Sequence, residues 1–292
     1  MTESISTKTI LSKLKDAPDP YFGITYTMNL YRGCQHQCIY CDSRSKVYGI
    51  EDFSKIQVKT NALVLFEKSL NRRSGKKGTI GTGSMNDPYM PAEKGNILTG
   101  KALRLIAKYK YPVHVMTKSS LVLRDSDVLQ EISKVYAAVS FTITIADDQL
   151  SRILEPGTVV SSERFRAISD LAEKGIYCGV VLTPVLPYIT DKEENIAEII
   201  QRAKSSGASY ILGWMSMTQR EGQREYYYRK LDQHFPGLRQ KYIQQFGSDY
   251  NCPPEHAEKL YNIFIETCNH QDLPMRMKFF KEDSAKQLSL FV

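Results

Sequence analysis

From residue 24 to residue 216 the chain alternates short apolar runs with amphipathic stretches, and no other feature limits its possible folds as much. Apolar runs at 24–30, 78–85, 113–118, 138–144, 176–187 and 209–216 read as strands. Between them, 59–73, 97–109, 125–136, 161–175 and 191–207 carry apolar residues at helical spacing, with an Asp opening the third stretch and a Gly closing the fourth. Six strands with a helix in each of the five gaps argue for parallel pairing through right-handed crossovers. The expected fold is α/β, a partial (β/α)6 TIM-type barrel more than a doubly wound sheet. From about residue 218 the pattern turns helical, over 220–235 and 253–268, with only a weak strand signal at 275–280. The expected organisation is an N-terminal segment 1–20, a barrel 21–217, a mainly helical extension 218–280 and a flexible tail 281–292.

In such barrels chemistry sits at the C-terminal ends of the strands. The stretch GCQHQCIYCDSRS (33–45) lies just past the first strand, and GSMNDPYMP, TKSS, TITIADD and TPVLP follow later ones. Cys34, Cys38 and Cys41 crowd into that first loop, while Cys178, Cys252 and Cys268 are scattered and read as ordinary buried thiols. No run reaches the roughly 18 apolar residues of a membrane span, and the N-terminus lacks the apolar core of a signal peptide. The expectation is a cytoplasmic protein with reduced thiols and no membrane contact, so the cluster reads as metal-binding. Cys34, His36, Cys38 and Cys41 could form a tetrahedral zinc site, although the usual distant second ligand pair is missing. Three thiolates could instead hold an iron–sulfur cluster and leave one iron open for a substrate or cofactor.

The string Cys34-xxx-Cys38-x-Tyr40-Cys41 resembles the signature of the radical S-adenosylmethionine (SAM) superfamily. NDPYMPAE (86–93), TKSSLVLRD (117–125), RILEPG (152–157) and ISDLAEKGIYCGVVLTPVLP (168–187) resemble its spore photoproduct lyase-like branch, over residues 20 to 215 or so. The resemblance implies an enzyme with a 4Fe–4S cluster on Cys34, Cys38 and Cys41. SAM would chelate the open iron, and one electron would cleave it to methionine and a 5′-deoxyadenosyl radical that abstracts hydrogen from a substrate. It also implies a flavodoxin- or ferredoxin-type reductant. By the same resemblance Asn86 and Asp87 lie at the methionyl part of SAM, Lys118 at its carboxylate, Thr142 near the ribose and Tyr40 at the adenine. These residue types suit strand ends that face a zwitterion. Read without the resemblance, Asp87-Pro88 is a turn starter, Lys118 a surface lysine, and Arg152 with Glu155 either a structural ion pair or a cofactor contact.

Two positions depart from the lyase. Met85 stands where the lyase has its hydrogen-donating cysteine, and a thioether has no S–H to give. Asp42 follows the third cysteine where the lyase has an aromatic. The expected substrate is therefore DNA carrying a lesion other than the spore photoproduct. RNA, protein or a small molecule is the alternative, and a non-catalytic zinc-stabilised clamp-associated DNA-binding adaptor is the reading from a different class. The formal charge of +7 tilts towards anionic partners. Arg72, Arg73, Lys76 and Lys77 read as a solvated loop or a phosphate contact, and Tyr226, Tyr227 and Tyr228 as helix packing or a stacking surface. The terminal Gln287, Leu288, Leu290 and Phe291 resemble the pentapeptide that binds the bacterial DNA sliding clamp, which implies that clamp as a partner. A chain ending at Lys286 is expected to bind a sliding clamp at least about tenfold more weakly than the full chain in a surface-binding assay. Equal binding by the two would make the tail irrelevant to clamp recognition.

Overall fold

Six strands run parallel in one sheet: β1 (Ile24–Met28), β2 (Thr79–Thr82), β3 (Val113–Thr117), β4 (Ala137–Thr142), β5 (Tyr177–Leu182) and β6 (Ile211–Gly213). They neighbour one another in sequence order, so every crossover steps the same way, as in a barrel rather than a doubly wound sheet. The computed structural model describes residues 2–50, 52–73 and 77–282. The tail residues Gln287, Leu288, Leu290 and Phe291, and Lys76 of the basic run, lie outside them.

The crossover helices are α1 (Ala62–Arg72), α2 (Leu98–Lys108), α3 (Ser126–Ser133), α4 (Ser161–Glu173) and α5 (Glu193–Ser205). The spacing of α5 shows why it forms. Ile196, Ile199, Ile200 and Ala203 bury one stripe, Glu193 and Glu194 open the first turn, and Arg202 and Lys204 occupy the last, where the helix dipole favours each sign. Gly175, at φ +71°, ends α4 in the left-handed conformation. Along β4 every residue is buried. Ala137, Val139 and Phe141 join the main apolar core, while Ala138, Ser140 and Thr142 face the other side of the sheet.

Among the described residues the barrel does not close: β6 pairs only with β5, and the far edge of β1 takes an antiparallel strand, Leu11–Lys13. The N-terminal segment is thus part of the fold. Its first strand, Thr2–Ile5, pairs with Ile56–Lys59, which in turn pairs with Tyr31–Arg32. The weak strand signal at 275–280 corresponds to no strand. That segment is a strap: Pro274 accepts from Ile211 N, Lys278 N donates to Tyr177, and Phe279 packs on Gly23 beside the open edge. Of the C-terminal helices α6 (Gln223–His234), α7 (Leu238–Phe246) and α8 (Ala257–His270), the last packs against α5. Tyr227 and Tyr228 are buried and Tyr226 is half-buried, so α6 uses its tyrosines for packing.

Inside the barrel, His114 Nε2 lies 2.7 Å from Ser140 Oγ, which lies 2.7 Å from the Tyr210 hydroxyl. Burial holds the His114 imidazole down at about 4. Once unfolded it protonates near 6.5, so the stability present above that pH drains as pH falls towards 4. Between pH 7 and 5 wild type is expected to lose about 2 kcal/mol more than His114→Gln, measured by urea unfolding. Identical pH dependence in the two proteins would contradict this.

Candidate active site

The cysteine loop leaves β1 through Tyr31–Arg32. Its three thiols line one cavity of about 170 Å³ with Met85, Asn86 and Asp87 after β2, Lys118 after β3 and Thr142 at the end of β4. Cys34, Cys38, Cys41, Asn86, Asp87, Lys118 and Thr142 therefore meet at the C-terminal mouth of the sheet. Tyr40 lines an adjoining, mainly apolar cavity of about 390 Å³ with Cys41, Pro184, Trp214 and Met217.

Asp87 is buried and its carboxylate is fully engaged. Oδ1 accepts from Thr117 Oγ1 at 2.7 Å and Tyr89 N at 2.8 Å. Oδ2 accepts from Lys118 N at 2.6 Å and lies 3.3 Å from His36 Nδ1. Burial alone would raise this carboxyl, yet the His36 imidazole and the donors hold it at about 2. Asn86 Nδ2 donates to Tyr31 O at 2.7 Å. A second buried layer supports these loops. Glu93 accepts from the Tyr31 hydroxyl, from Leu98 N at 3.1 Å, from Thr99 N at 3.0 Å and from Arg124 at 2.8 Å. Arg124 also binds Asp125 at 2.7 Å, and the Tyr89 hydroxyl donates to Asp125 at 3.1 Å.

On the other side of the loop the Tyr40 hydroxyl donates to Glu155, which pairs with Arg164 at 2.5 Å, both charges being wholly buried. Arg152 is exposed, so the suggested Arg152–Glu155 ion pair or cofactor contact gives way to a structural Glu155–Arg164 pair. Gly157 N donates to His36 O at 2.9 Å, and a Cβ at Gly157 would stand 2.2 Å from Gln35 O, so only glycine allows this close backbone approach. The C-terminal extension also clamps the loop. Gln223 Nε2 donates to Tyr40 O at 3.0 Å, and the Arg44 guanidinium sits 3.8 Å from the Tyr226 ring centre and 4.6 Å from that of Phe53.

Burial pushes the Cys34 thiol up to about 12 and Cys38 well above its ordinary value. Burial pulls the Lys118 ammonium down, but Cys38 and Glu155 outweigh it and hold it above the usual lysine range. Its Nζ lies 5.9 Å from the Tyr40 ring centre. Among the described residues no three His, Cys, Asp or Glu side chains converge on one point, as a single metal ion requires. His36, which a zinc site would need, is turned to Asp87. Three soft thiols spread around one cavity fit a multi-iron cluster, in which each binds a different iron. Cys178, Cys252 and Cys268 are buried elsewhere, Cys178 Sγ lying 3.6 Å from Ile168 O. Sequence reasoning missed the roles of His36, Glu93, Asp125 and Arg164. Glu93 and Asp125 stood inside the motifs NDPYMPAE and TKSSLVLRD, where only their burial could have marked them.

The model of the Radical SAM superfamily matches residues 28–200. An uncharacterised protein of Mycobacterium tuberculosis is 28% identical over 260 residues, covering 87% of this chain and 76% of that one. An uncharacterised protein of Methanocaldococcus jannaschii is 32% identical over 201 residues, covering 68% and 74%. Among solved structures, spore photoproduct lyase complexed with dinucleoside spore photoproduct superposes with a TM-score of 0.68 at 17% identity, over 92% of this chain and 79% of the lyase. That likeness is one of fold.

Replacing Asp87 by Ala leaves Thr117, Lys118 N, Tyr89 N and His36 without their common acceptor. The substitution is expected to cost the metal-free chain about 3 kcal/mol or more in urea unfolding. A loss below about 1 kcal/mol would show that the carboxylate is not the tie described.

Proposed function

The chain belongs to the radical SAM superfamily, and we propose that Cys34, Cys38 and Cys41 hold a 4Fe–4S cluster whose fourth iron binds SAM. One observation carries this reading: the three thiols share a cavity with Lys118 and Thr142 at the mouth of the sheet. When bound, the cluster and SAM supply one electron and a 5′-deoxyadenosyl radical, which takes a hydrogen atom from substrate. The chain's own groups bind and orient. The Lys118 ammonium offers a cationic partner for a carboxylate, and the Thr142 hydroxyl offers a donor and an acceptor for a ribose. Asp87, saturated by its four partners, acts as a positioning residue that fixes the backbone of Lys118 and the imidazole of His36. The Tyr40 ring forms a wall between Lys118 and the apolar cavity, and its hydroxyl is committed to Glu155.

Nucleic acid is the substrate class this reading favours. The lyase of like fold was solved with dinucleoside spore photoproduct, this chain carries a net charge of +7, and the Trp214-lined cavity beside Cys41 suits a flat base. The lyase's own reaction is not carried over, because Met85 has no S–H to return a hydrogen. Anaerobically reconstituted wild type is expected to release 5′-deoxyadenosine from SAM on reduction with dithionite. Cys38→Ala should lose this by at least about 100-fold, some 3 kcal/mol, while keeping its circular dichroism spectrum. Parental rates in Cys38→Ala would overturn the cluster assignment. Deuterium appearing in 5′-deoxyadenosine from deuterated DNA, and from no deuterated peptide, would support the substrate class; the reverse would overturn it.

A further inference from the structure

A second polar cavity, of about 330 Å³, lies between the N-terminal strands and the cysteine loop. Met85 and Asn86 line both it and the thiol-lined cavity, so the two share a wall. Its lining carries two cations, Lys59 and Arg32, hydroxyls including Thr7, Thr9 and Ser12, and among the described residues no carboxylate. Lys59 ends the strand Ile56–Lys59, is half-buried, and its Nζ donates at 2.7 Å to the backbone carbonyl of Asn29. Among the described residues Arg32 donates to two carbonyls, Tyr48 O at 3.3 Å and Gly49 O at 3.0 Å. Neither cation forms an ion pair among the described residues.

Two half-buried cations lining one cavity are electrostatically unfavourable. Burial and the nearby Arg32 together hold the Lys59 ammonium below its ordinary value. A bound anion would relieve both the desolvation and the repulsion. A set of ammonium, guanidinium and hydroxyl donors around one space matches a tetrahedral oxyanion, which accepts from several directions at once.

We propose that this cavity is a phosphate-binding subsite, in which Lys59 and Arg32 grip a phosphate of the substrate while the attached nucleoside reaches past Met85 towards the thiol-lined cavity. The inference rests on the nucleic-acid reading only for what carries the phosphate. A phosphate held here positions its carrier and reads no base sequence.

The test uses the reconstituted, SAM-loaded full chain, kept oxidised so that nothing turns over. Thymidine monophosphate, thymidine and a single-stranded hexadeoxynucleotide are titrated calorimetrically into wild type, Lys59→Gln and the charge-keeping Lys59→Arg. The monophosphate should bind wild type and Lys59→Arg at least about tenfold tighter than thymidine, and Lys59→Gln should show no such preference. For the hexanucleotide, Lys59→Gln should lower the slope of log affinity against log salt by about 0.7, one phosphate contact on a single strand. Monophosphate and thymidine binding wild type equally, or a preference that survives in Lys59→Gln, would overturn the subsite. A phosphate preference that depends on Lys59, with no hexanucleotide binding, would keep the subsite and sink the polymeric substrate. Hexanucleotide binding that is unchanged in affinity and slope in Lys59→Gln would do the opposite.

Discussion

The site is organised around the buried carboxylate of Asp87. It collects donors from three successive strand ends: His36 from the loop after β1, Tyr89 N from its own loop after β2, and Thr117 with Lys118 N at the end of β3. A buried carboxylate without partners costs several kcal/mol, so these loops cannot move independently without exposing that cost. The arrangement fixes where the cysteine loop sits relative to Lys118 and Thr142, which is the geometry the proposed chemistry needs. The Glu93–Arg124–Asp125 layer serves the same end from behind, since Tyr31 and Tyr89 reach it from the two loops that Asp87 joins.

The opposite flank of the loop is held by different means. Tyr40, Glu155 and Arg164 form a buried polar chain, and α6 presses Gln223 and Tyr226 onto Tyr40 and Arg44. Cys38, Ile39 and Tyr40 share an apolar cluster with Tyr227, Leu231 and Tyr242. The extension beyond residue 217 is thus continuous with the cysteine loop's own packing, although its composition sets it apart in the sequence. The open edge at β6 is bordered by the strap at 274–279, where Pro274 O accepts from Ile211 N and Phe279 lies on Gly23.

Much of this was legible because periodicity reports burial. Strand-and-helix alternation placed β1 to β6 and α1 to α5, and the loops after the strands held the residues that line the cavity. What escaped was long-range polar pairing, which leaves no periodic trace. Arg152 and Glu155 have helical spacing, but the short helix Asp148–Leu154 stops before Glu155, which adopts φ −134°, ψ 59°. The side chain therefore leaves the helix face and meets Arg164 instead. The strands Thr2–Ile5 and Leu11–Lys13 are short, mostly exposed edge strands, so the alternation that marks a half-buried strand is weak there. Residues 275–280 show the reverse case, where apolar side chains pack on the barrel without any ladder hydrogen bonds to make them a strand.

The proposed cluster sits on three thiols of this chain, with one iron left for SAM. Electron paramagnetic resonance of the anaerobic, reduced protein with and without SAM addresses it most directly. The expected spectrum is that of a reduced 4Fe–4S cluster whose g-values change when SAM is added. A protein that takes up zinc and shows no iron signal, or a cluster signal indifferent to SAM, would contradict it.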